Sequence, residues 1–190
     1  MCIRDRYVEG GGEAAFYGPK IDVQIRNVNG KEDTIATIQV DFYSASRFNL
    51  TFINKEGKKE APVIIHRAIM GSFERFFAFL IEQYGGAFPV WLASTQVTIL
   101  PVSDKTATYA KQIEEQLQAT GIRAVLDASK ETLGKRIRKV KEMKVPYYVV
   151  LGEQEQKSNS LTVEHRDDGK LGTMSTKELI AKIKAEEIST

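Results

Sequence analysis

Hydrophobic residues in the second half of the chain alternate between strand-like runs and helix-like spacings. Short runs rich in β-branched and aromatic residues predict strands at 96–102, 122–126, 147–151 and 161–165. Amphipathic stretches predict helices over 104–119, over 132–143 and after Ser175. We expect Ser103 to cap the first of these helices and Gly121 to end it, and Ser175 with Glu178 to form a capping box. The alternation favours an α/β sheet with parallel strands and right-handed crossovers.

The first half of the chain has a different pattern, in which strand signals come first and one helix follows. The strands are predicted at 21–26, 35–42, 50–53 and 63–65. The helix begins after Ser72, and its aromatic and aliphatic residues from Phe73 to Tyr84 recur at helical spacing. We expect this apolar side to pack inward. Consecutive strands followed by a single helix favour an antiparallel sheet, so the fold class is α+β followed by α/β.

A domain boundary is predicted at 85–89, where two glycines and a proline follow the helix. The expected domains are therefore residues 1–89 and 92–190. Residues 1–10 are expected to be non-native or disordered, because Met1–Arg6 resemble a cloning or assembly scar.

Composition narrows the class of protein. With 190 residues and 42% hydrophobic residues, a soluble globular chain is expected. No apolar run approaches the ~20 residues of a membrane helix. The single cysteine excludes an internal disulfide and is typical of a reducing cytoplasm, whereas the net charge of +2 says little about partners.

The stretch 62–75 carries the first candidate chemistry. A short strand leads to His66, a Gly-Ser pair and then Arg75 in the first helical turn. Because a cation there opposes the helix dipole, Arg75 indicates an anionic partner, either a nearby carboxylate or a triphosphate ligand. A lone histidine is more often structural than metal-bound, and His66, His165 and Cys2 match no zinc-site spacing.

Two further features are ambiguous by themselves. The turn from Tyr17 to Lys20 enters a strand and is either an ordinary hairpin corner or a loop that presents a ring and an ammonium. Seven cations and two acids lie between Lys130 and Lys144. Such a basic helix is either a solvated face or a surface that binds RNA phosphates.

The motifs GEAAFYGPKID (12–22), TIQVDF (37–42) and PVIIHRAIMGSFER (62–75) together closely resemble the threonyl-tRNA synthetases. The resemblance runs from about Gly11 to the C-terminus and implies the last part of a class II antiparallel-sheet catalytic domain. The motifs LGKRIR (133–138) and KVPYYVVLG (144–152), with Glu155, resemble the anticodon-binding domain of threonyl, prolyl, histidyl and glycyl synthetases. That domain is a three-layer α/β fold.

The resemblance implies roles in nucleotide binding. Arg75 would hold the ATP phosphates, with Gly71 and Ser72 beside the nucleotide, and Lys20 would approach the adenylate. Arg75 and Lys20 are therefore the expected catalytic residues. The family's usual residues before Gln39 are replaced here by residues 33–36, so chemistry at that edge is expected to differ.

Amino-acid recognition is implied in the same way. Tyr17 and Gln39 would contact the substrate, and His66 would be the last of three protein ligands to a zinc ion. The open zinc position would take the amino and hydroxyl groups of threonine, which rejects valine strongly and serine less well.

Anticodon recognition is implied for the second domain. Lys144 and Glu155 match positions that contact anticodon bases, and Lys130 and Arg136 are expected to bind the anticodon region as well. Bacterial relatives often carry Asn and Arg at two contact positions where Lys130 and Glu164 stand here. Exchanging Arg for Glu reverses the charge, so base contacts are not carried over there.

The function implied is that of a threonine-tRNA ligase, which forms threonyl-adenylate from threonine and ATP with Mg²⁺ and passes the threonine to tRNA(Thr). We expect the chain to be a C-terminal part of a cytoplasmic, non-membrane, homodimeric enzyme, inactive alone in catalysis but able to bind tRNA. A non-catalytic RNA-binding protein with the same anticodon domain is the alternative. Another synthetase of the subclass is a third reading, disfavoured by the run HRAIMGS (66–72).

Overall fold

The computed structural model describes residues 7–188, so the expectation for Met1–Arg6 lies outside the described residues. The chain divides into two compact units, one ending at Gln83 and the other beginning at Tyr84. We describe each unit by itself.

The first unit is built on an antiparallel sheet of three strands in the order β1-β2-β5. A two-stranded ribbon, β3 with β4, and two helices accompany it. The elements are β1 (Lys20–Arg26), β2 (Glu32–Asp41), α1 (Ser44–Arg47), β3 (Phe52–Ile53), β4 (Lys59–Glu60), β5 (Ile64–Ala68) and α2 (Phe73–Tyr84). The predicted strands and long helix are present, but His66 lies inside β5 rather than at a strand end.

The expectation that the apolar side of α2 packs inward is wrong for the described chain. Phe73 is 77% exposed and Phe77 is 44% exposed, and no residue of α2 is buried. Among the described residues up to Gln83, Ala45 is the only buried hydrophobic residue. Within the described residues, the first unit therefore offers little surface to cover the apolar side of this helix.

The second unit contains a five-stranded mixed sheet in the order β10-β9-β8-β6-β7. Strand β6 pairs in parallel with β7 and β8, as predicted, whereas β8, β9 and β10 pair antiparallel. The elements are β6 (Val97–Pro101), α3 (Ala107–Ala119), β7 (Ala124–Leu126), α4 (Leu133–Glu142), β8 (Tyr147–Leu151), α5 (Glu153–Ser158), β9 (Leu161–His165), β10 (Gly169–Met174) and α6 (Thr176–Ile188).

Hydrophobic side chains cover both faces of this sheet. On one face Ile99, Tyr147 and Val149 pack with Leu117 of α3 and Ile183 of α6. On the other face Leu100 and Tyr148 pack with Val140 of α4. Successive strand residues point to opposite faces, so the continuous apolar strands produce three layers with the sheet in the middle.

The helix ends explain two of the boundaries. The capping box before α6 is confirmed, because Ser175 N donates to Glu178 Oε2 and Glu178 N donates to Ser175 Oγ. The predicted cap at Ser103 is wrong, since its side chain makes no capping hydrogen bond and a 3-10 turn, Asp104–Thr106, precedes α3. Within residues 7–188, no helix combines the length and the apolar character needed to cross a bilayer.

Candidate functional site

Three predicted site residues lie side by side across the sheet of the first unit. Lys20 on β1 pairs with Gln39 on β2, and Gln39 pairs with His66 on β5. Residues paired directly across neighbouring strands project from the same face of a sheet. The three side chains therefore form a row, which we call the sheet-face row.

Tyr17 joins this row from the loop before β1. Its hydroxyl donates to Gln39 Oε1 at 3.0 Å, and its ring meets the His66 ring edge to face with centroids 6.3 Å apart. Gly18 makes this approach feasible, because a Cβ there would lie 2.0 Å from the Val40 carbonyl oxygen. Tyr17, Gln39 and His66 thus form one connected cluster.

Asp41 is a member of the cluster that the sequence interpretation did not include. Its side chain is 2% exposed, and its Oδ2 lies 2.9 Å from His66 Nε2. Its Oδ1 accepts the backbone N–H groups of Tyr43 and Ser44. The hydrogen bonds from His66 and Ser44 hold the pKa of Asp41 well below its usual range, so the buried carboxylate is ionised. The alternation Thr37, Gln39, Asp41 along β2 was the signal that could have identified it.

Lys20 has a partner on its own strand. Its Nζ lies 2.6 Å from Asp22 Oδ2, and Asp22 Oδ1 accepts the Thr37 hydroxyl at 2.6 Å. The hydrogen bond that Lys20 donates to Asp22 raises the pKa of Lys20 and lowers the pKa of Asp22. Lys20 is therefore a fixed ammonium at one end of the sheet-face row and remains charged at neutral pH.

Arg75, Ser72 and Gly71 form a second neighbourhood in the first unit. Ser72 Oγ accepts the backbone N–H of Arg75 at 3.2 Å, so it caps the start of α2. Arg75 and Gly71 line a cavity of about 200 Å³ with Phe76 and Phe79. Gly71 has φ +60, and a Cβ there would touch the Ile35 carbonyl oxygen at 3.4 Å.

The guanidinium of Arg75 makes no ion pair with the residues that the structure describes. The carboxylate alternative considered for this arginine therefore gains no support within residues 7–188. The exposed guanidinium suits an anionic group of a ligand, and the phenylalanine rings that line the cavity suit an aromatic group. No hydrogen bond among the described residues joins Arg75 to the sheet-face row.

A zinc ion does not fit the described residues by themselves. His66 Nε2 faces Asp41, and no group of three His, Cys, Asp or Glu side chains within 7–188 could hold a metal ion. Zinc sites in proteins use three or four such ligands. We therefore derive no chemical step through zinc from this set.

The basic stretch in the second unit is more neutralised than its sequence indicates. Lys135 pairs with Glu131, and Arg138 pairs with Glu142. Lys141 pairs with Glu164 on β9 at 2.8 Å. Exposed pairs of this kind contribute little stability, but they lower the positive potential of the surface.

Arg136, one of the predicted RNA contacts, is buried. It is 6% exposed, and its guanidinium donates to the carbonyl oxygens of Pro101 and Ser129. Its Nε lies 4.0 Å from Asp127 Oδ2. Its Nε has no hydrogen-bond partner among the described atoms. Arg136 therefore holds the loop before α4 rather than presenting its charge on the surface. Lys130 lies in that loop and is exposed.

Lys144 lies two residues after the end of α4, in a backbone conformation that is unusual for a residue with a side chain. Its φ is +54, and the N–H groups of Lys144 and Val145 donate to Lys141 and Val140, which is a Schellman motif. Its Nζ donates to the Gly85 carbonyl oxygen, and its own carbonyl accepts from Arg166. In a Schellman motif the residue with positive φ is most often glycine, whereas here it is a lysine whose cation lies on the surface.

Glu155 is held by hydrogen bonds to both carboxylate oxygens. Oε2 accepts the Gly152 N–H at 2.9 Å, and Oε1 accepts the Thr162 hydroxyl at 2.8 Å. Burial opposes ionisation, but these hydrogen bonds outweigh it and keep the pKa of Glu155 below its usual value. The carboxylate is charged, oriented and able to accept further N–H donors.

Two family models match the two units in turn. Residues 3–84 match the tRNA synthetase class II core domain (G, H, P, S and T), and residues 96–186 match the anticodon binding domain. Together they account for most of the chain.

Curated relatives are similar across both units. A threonine--tRNA ligase from Geobacillus sp. (strain WCH70) is 46% identical over 181 residues, which is 95% of this chain and 28% of that protein. The same enzyme from Oceanobacillus iheyensis is 47% identical over the same shares. The chain thus spans 28% of the length of these relatives.

A solved structure has the same fold. The RNA binding domain of threonyl-tRNA synthetase from Cryptosporidium parvum Iowa II superposes with a TM-score of 0.78 at 37% identity. The match covers 92% of this chain and 44% of that one.

Proposed function

The chain belongs to the threonyl-tRNA synthetase family, and from this premise we propose that it contributes to the ATP-dependent attachment of threonine to tRNA(Thr). The observation that carries the proposal is the similarity of both units, in order, to the same enzyme. The first unit would contribute residues for activating threonine, and the second would bind the anticodon.

Arg75 would hold the ATP phosphates in this proposal. Its lack of an ion pair within residues 7–188 leaves the guanidinium available for a bidentate contact with phosphate oxygens. Gly71 lets the backbone approach the nucleotide, and Ser72 orders the helical turn that carries Arg75. Mg²⁺ would accompany ATP as part of the substrate.

The sheet-face row would bind the amino acid and its adenylate. Lys20, kept charged by Asp22, would oppose the negative charge of the adenylate phosphate. Tyr17 and Gln39 hold each other and would contact threonine. His66 remains the proposed zinc ligand by resemblance to the family. The other ligands would have to come from outside the described residues.

Catalysis by this chain alone is expected to fail. The described residues provide a single arginine at the cavity of about 200 Å³ and no complete metal site. Preorganised charge is normally the largest contribution to such catalysis, so ATP–pyrophosphate exchange that depends on threonine should stay at background. Exchange above background in purified chain would contradict this.

Binding of tRNA is the activity proposed for the second unit. Lys130, Lys144 and Glu155 are exposed or partly exposed on it, while Arg136 would act by ordering the Lys130 loop. We propose that the protein is cytoplasmic and that the full-length enzyme forms a homodimer. A non-catalytic RNA-binding protein is the second candidate, because residues 7–188 contain no group of three side chains that could hold a metal ion.

The test is binding of the full chain to tRNA(Thr) and to a tRNA with another anticodon, across a salt series. We expect preference for tRNA(Thr), and Lys144→Ala and Glu155→Ala should reduce that preference by about ten-fold. The control is Arg138→Ala, which removes an exposed cation paired with Glu142. It should weaken the binding of both tRNAs to the same extent. Equal, salt-sensitive binding of both tRNAs would support the general RNA-binding candidate instead.

A further inference from the structure

Residues 85–93, which follow α2 and precede β6, are bound to the rest of the second unit through their backbone. We call this segment the strap. Three cations of the second unit donate to its carbonyl oxygens, namely Lys144 at Gly85, Arg166 at Phe88, and Arg123 at Val90, Trp91 and Ala93. Such contacts do not depend on the side chains of the strap, so they fix the course of its backbone.

Lys144 has a backbone conformation that its residue type disfavours. Among the residues within 7–188 other than glycine, Asn49, Lys144 and Asn159 have positive φ. Asparagine tolerates this conformation comparatively well, whereas lysine has no local hydrogen bond to gain from it. An unfavourable conformation that surrounding contacts maintain is evidence for a functional use of the residue. For Lys144 that use is its ammonium, the group that distinguishes it from glycine.

Arg166, in the turn after β9, holds the backbone of Lys144. Its Nη1 donates to the Lys144 carbonyl oxygen at 3.0 Å and to the Phe88 carbonyl oxygen at 2.9 Å. One guanidinium therefore joins Lys144 to the strap. The strap in turn accepts Lys144 Nζ at the Gly85 carbonyl oxygen. Both the carbonyl group and the ammonium of Lys144 are thus held.

The guanidinium of Arg166 is engaged within the second unit. Its side chain is 17% exposed, and its Nε and Nη2 donate to the Asp167 carboxylate at 3.0 and 2.9 Å. With Nη1 on the two carbonyl oxygens, each of its three nitrogens has a partner. The adjacent carboxylate also offsets its charge, so Arg166 is poorly suited to bind an RNA phosphate itself.

We propose that Arg166 is a positioning residue for RNA recognition, which acts through Lys144. Because Arg166 and the strap hold Lys144 before RNA binds, less conformational freedom is lost when the ammonium contacts RNA. An ammonium that donates to Gly85 still has N–H donors for an acceptor on RNA. The inference rests on the RNA binding proposed above for the second unit and adds the residue that orients Lys144.

The experiment measures binding of the full chain to tRNA(Thr) and to a tRNA with another anticodon by fluorescence anisotropy. Lys144→Met, which keeps the aliphatic stem, should reduce the preference for tRNA(Thr) by about ten-fold. Arg166→Met should reduce it by about five-fold, because the ammonium must then be ordered on binding. Arg166→Lys keeps a donor for the two carbonyl oxygens and should reduce the preference by about two-fold or less.

A double variant separates positioning from a general structural role. If Arg166 acts through Lys144, Arg166→Met should cause no further loss of preference in a chain that already carries Lys144→Met. A merely structural role would give effects that add, because a loosened fold would affect other RNA contacts as well. Far-UV circular dichroism checks that each variant is folded.

The matched control is Arg123→Met, which removes the other arginine that donates to the strap. The hydrogen bonds of Arg123 go to the carbonyl oxygens of Val90, Trp91 and Ala93, and none of them involves Lys144. This variant should therefore keep its preference for tRNA(Thr) within about two-fold of the unsubstituted chain.

The outcomes separate the two proposals. Absence of a preference for tRNA(Thr) in the unsubstituted chain, or an unchanged preference in Lys144→Met, overturns the proposed recognition by Lys144 and the role of Arg166 with it. If Lys144→Met loses the preference while Arg166→Met keeps it, matches Arg123→Met, or adds to Lys144→Met in the double variant, the positioning role is overturned and the proposed function stands. Loss in Arg166→Met, retention in Arg123→Met and no further loss in the double variant establish the positioning role.

Discussion

At the scale of single residues, Asp41 orders its neighbours in the first unit through one buried carboxylate. It bonds to His66 with one oxygen and to the backbone N–H groups of Tyr43 and Ser44 with the other. A buried charge is stable only when it is satisfied in this way. Asp41 therefore fixes the ring of His66, whichever ligand that ring contacts.

Replacing His66 by alanine should raise the pKa of Asp41, because the histidine is the largest cause of its depression. A carboxyl ¹³C NMR titration of His66→Ala would show the value moving toward the usual ~3.9. Asp127, whose pKa is lowered by contacts within the second unit, is the internal control and should not move.

The His66→Ala substitution should also change how the folding stability of the first unit depends on pH. A folded-state pKa below the unfolded value contributes stability above about pH 4, and this contribution is lost as the pH falls through the folded value. In His66→Ala the folded-state and unfolded-state pKa values of Asp41 lie closer together. The first unit of this variant should therefore lose less stability between neutral pH and about pH 3 than the first unit of the unsubstituted chain. An unchanged Asp41 titration would contradict both expectations.

Arg136 and Arg138 offer a matched pair on one helix, since they differ chiefly in burial. Arg136→Met leaves the Pro101 and Ser129 carbonyls and Asp127 without their partner, which should lower the free energy of unfolding by about 2–4 kcal/mol. Arg138→Met removes an exposed ion pair with Glu142 and should change the free energy of unfolding by less than about 0.5 kcal/mol.

Urea unfolding followed by Trp91 fluorescence measures this difference, since Trp91 lies in the second unit. Equal effects of the two substitutions would show that the buried contacts of Arg136 contribute no net stability.

At the scale of elements, the loop before β1 depends on the absence of a side chain at residue 18. A Cβ on Gly18 would lie 2.0 Å from the Val40 carbonyl oxygen, so Gly18→Ala must move the loop away from β2. The N–H groups of Val40 and Phe42 donate to Pro19 and Tyr17 across this contact. We expect both amides to lose protection from hydrogen exchange, measured by NMR.

Gly30→Ala is the control for this prediction. Gly30 also has positive φ, +78, but a Cβ there meets nothing within 4 Å. The substitution should cost about 1 kcal/mol from backbone strain and leave the exchange of Val40 and Phe42 unchanged. Retained protection in Gly18→Ala would show that the loop tolerates the displacement.

Element prediction from the sequence was most accurate where hydrophobic periodicity was strong. Strands β8 and β9 begin and end at the predicted residues. Helix α5 and strand β10 were not predicted, because one is short and polar and the other contains two glycines. Their formation depends on pairing with β9 and on capping by Glu155, which a local pattern does not contain.

For the candidate site of the first unit, the sequence indicated which residues to consider but only partly which of them contact each other. The sequence analysis singled out Tyr17, Gln39 and His66, and their roles stay predictions. The pairing that aligns Lys20, Gln39 and His66 is a property of strand register, which a local pattern does not contain. Arg136 shows the limit, since a cation in a basic helix is indistinguishable by sequence from its exposed neighbours. Burial separates them only when the sheet beneath the helix is known.

At the scale of the whole molecule, the buried hydrophobic residues are distributed unequally. Of those in the described chain, all except Ala45 lie in the second unit. Folding free energy follows buried apolar area, so the second unit should be much the more stable. The two units should therefore unfold in separate transitions.

The measurement compares two probes during urea unfolding. Trp91 fluorescence reports the second unit, while far-UV circular dichroism reports both. We expect circular dichroism to show an additional loss at lower urea that Trp91 does not report. Coincident curves would mean that the first unit draws its stability from the second.

The pairing of Lys141 with Glu164 also has an evolutionary consequence. Two opposite charges 2.8 Å apart in a partly covered cavity are disfavoured when either one changes sign alone. Lineages that carry a basic residue at 164 should therefore lack a cation at 141, and intermediates with two like charges should be rare. The two positions should covary as a unit, so the history of this surface can be followed from aligned relatives.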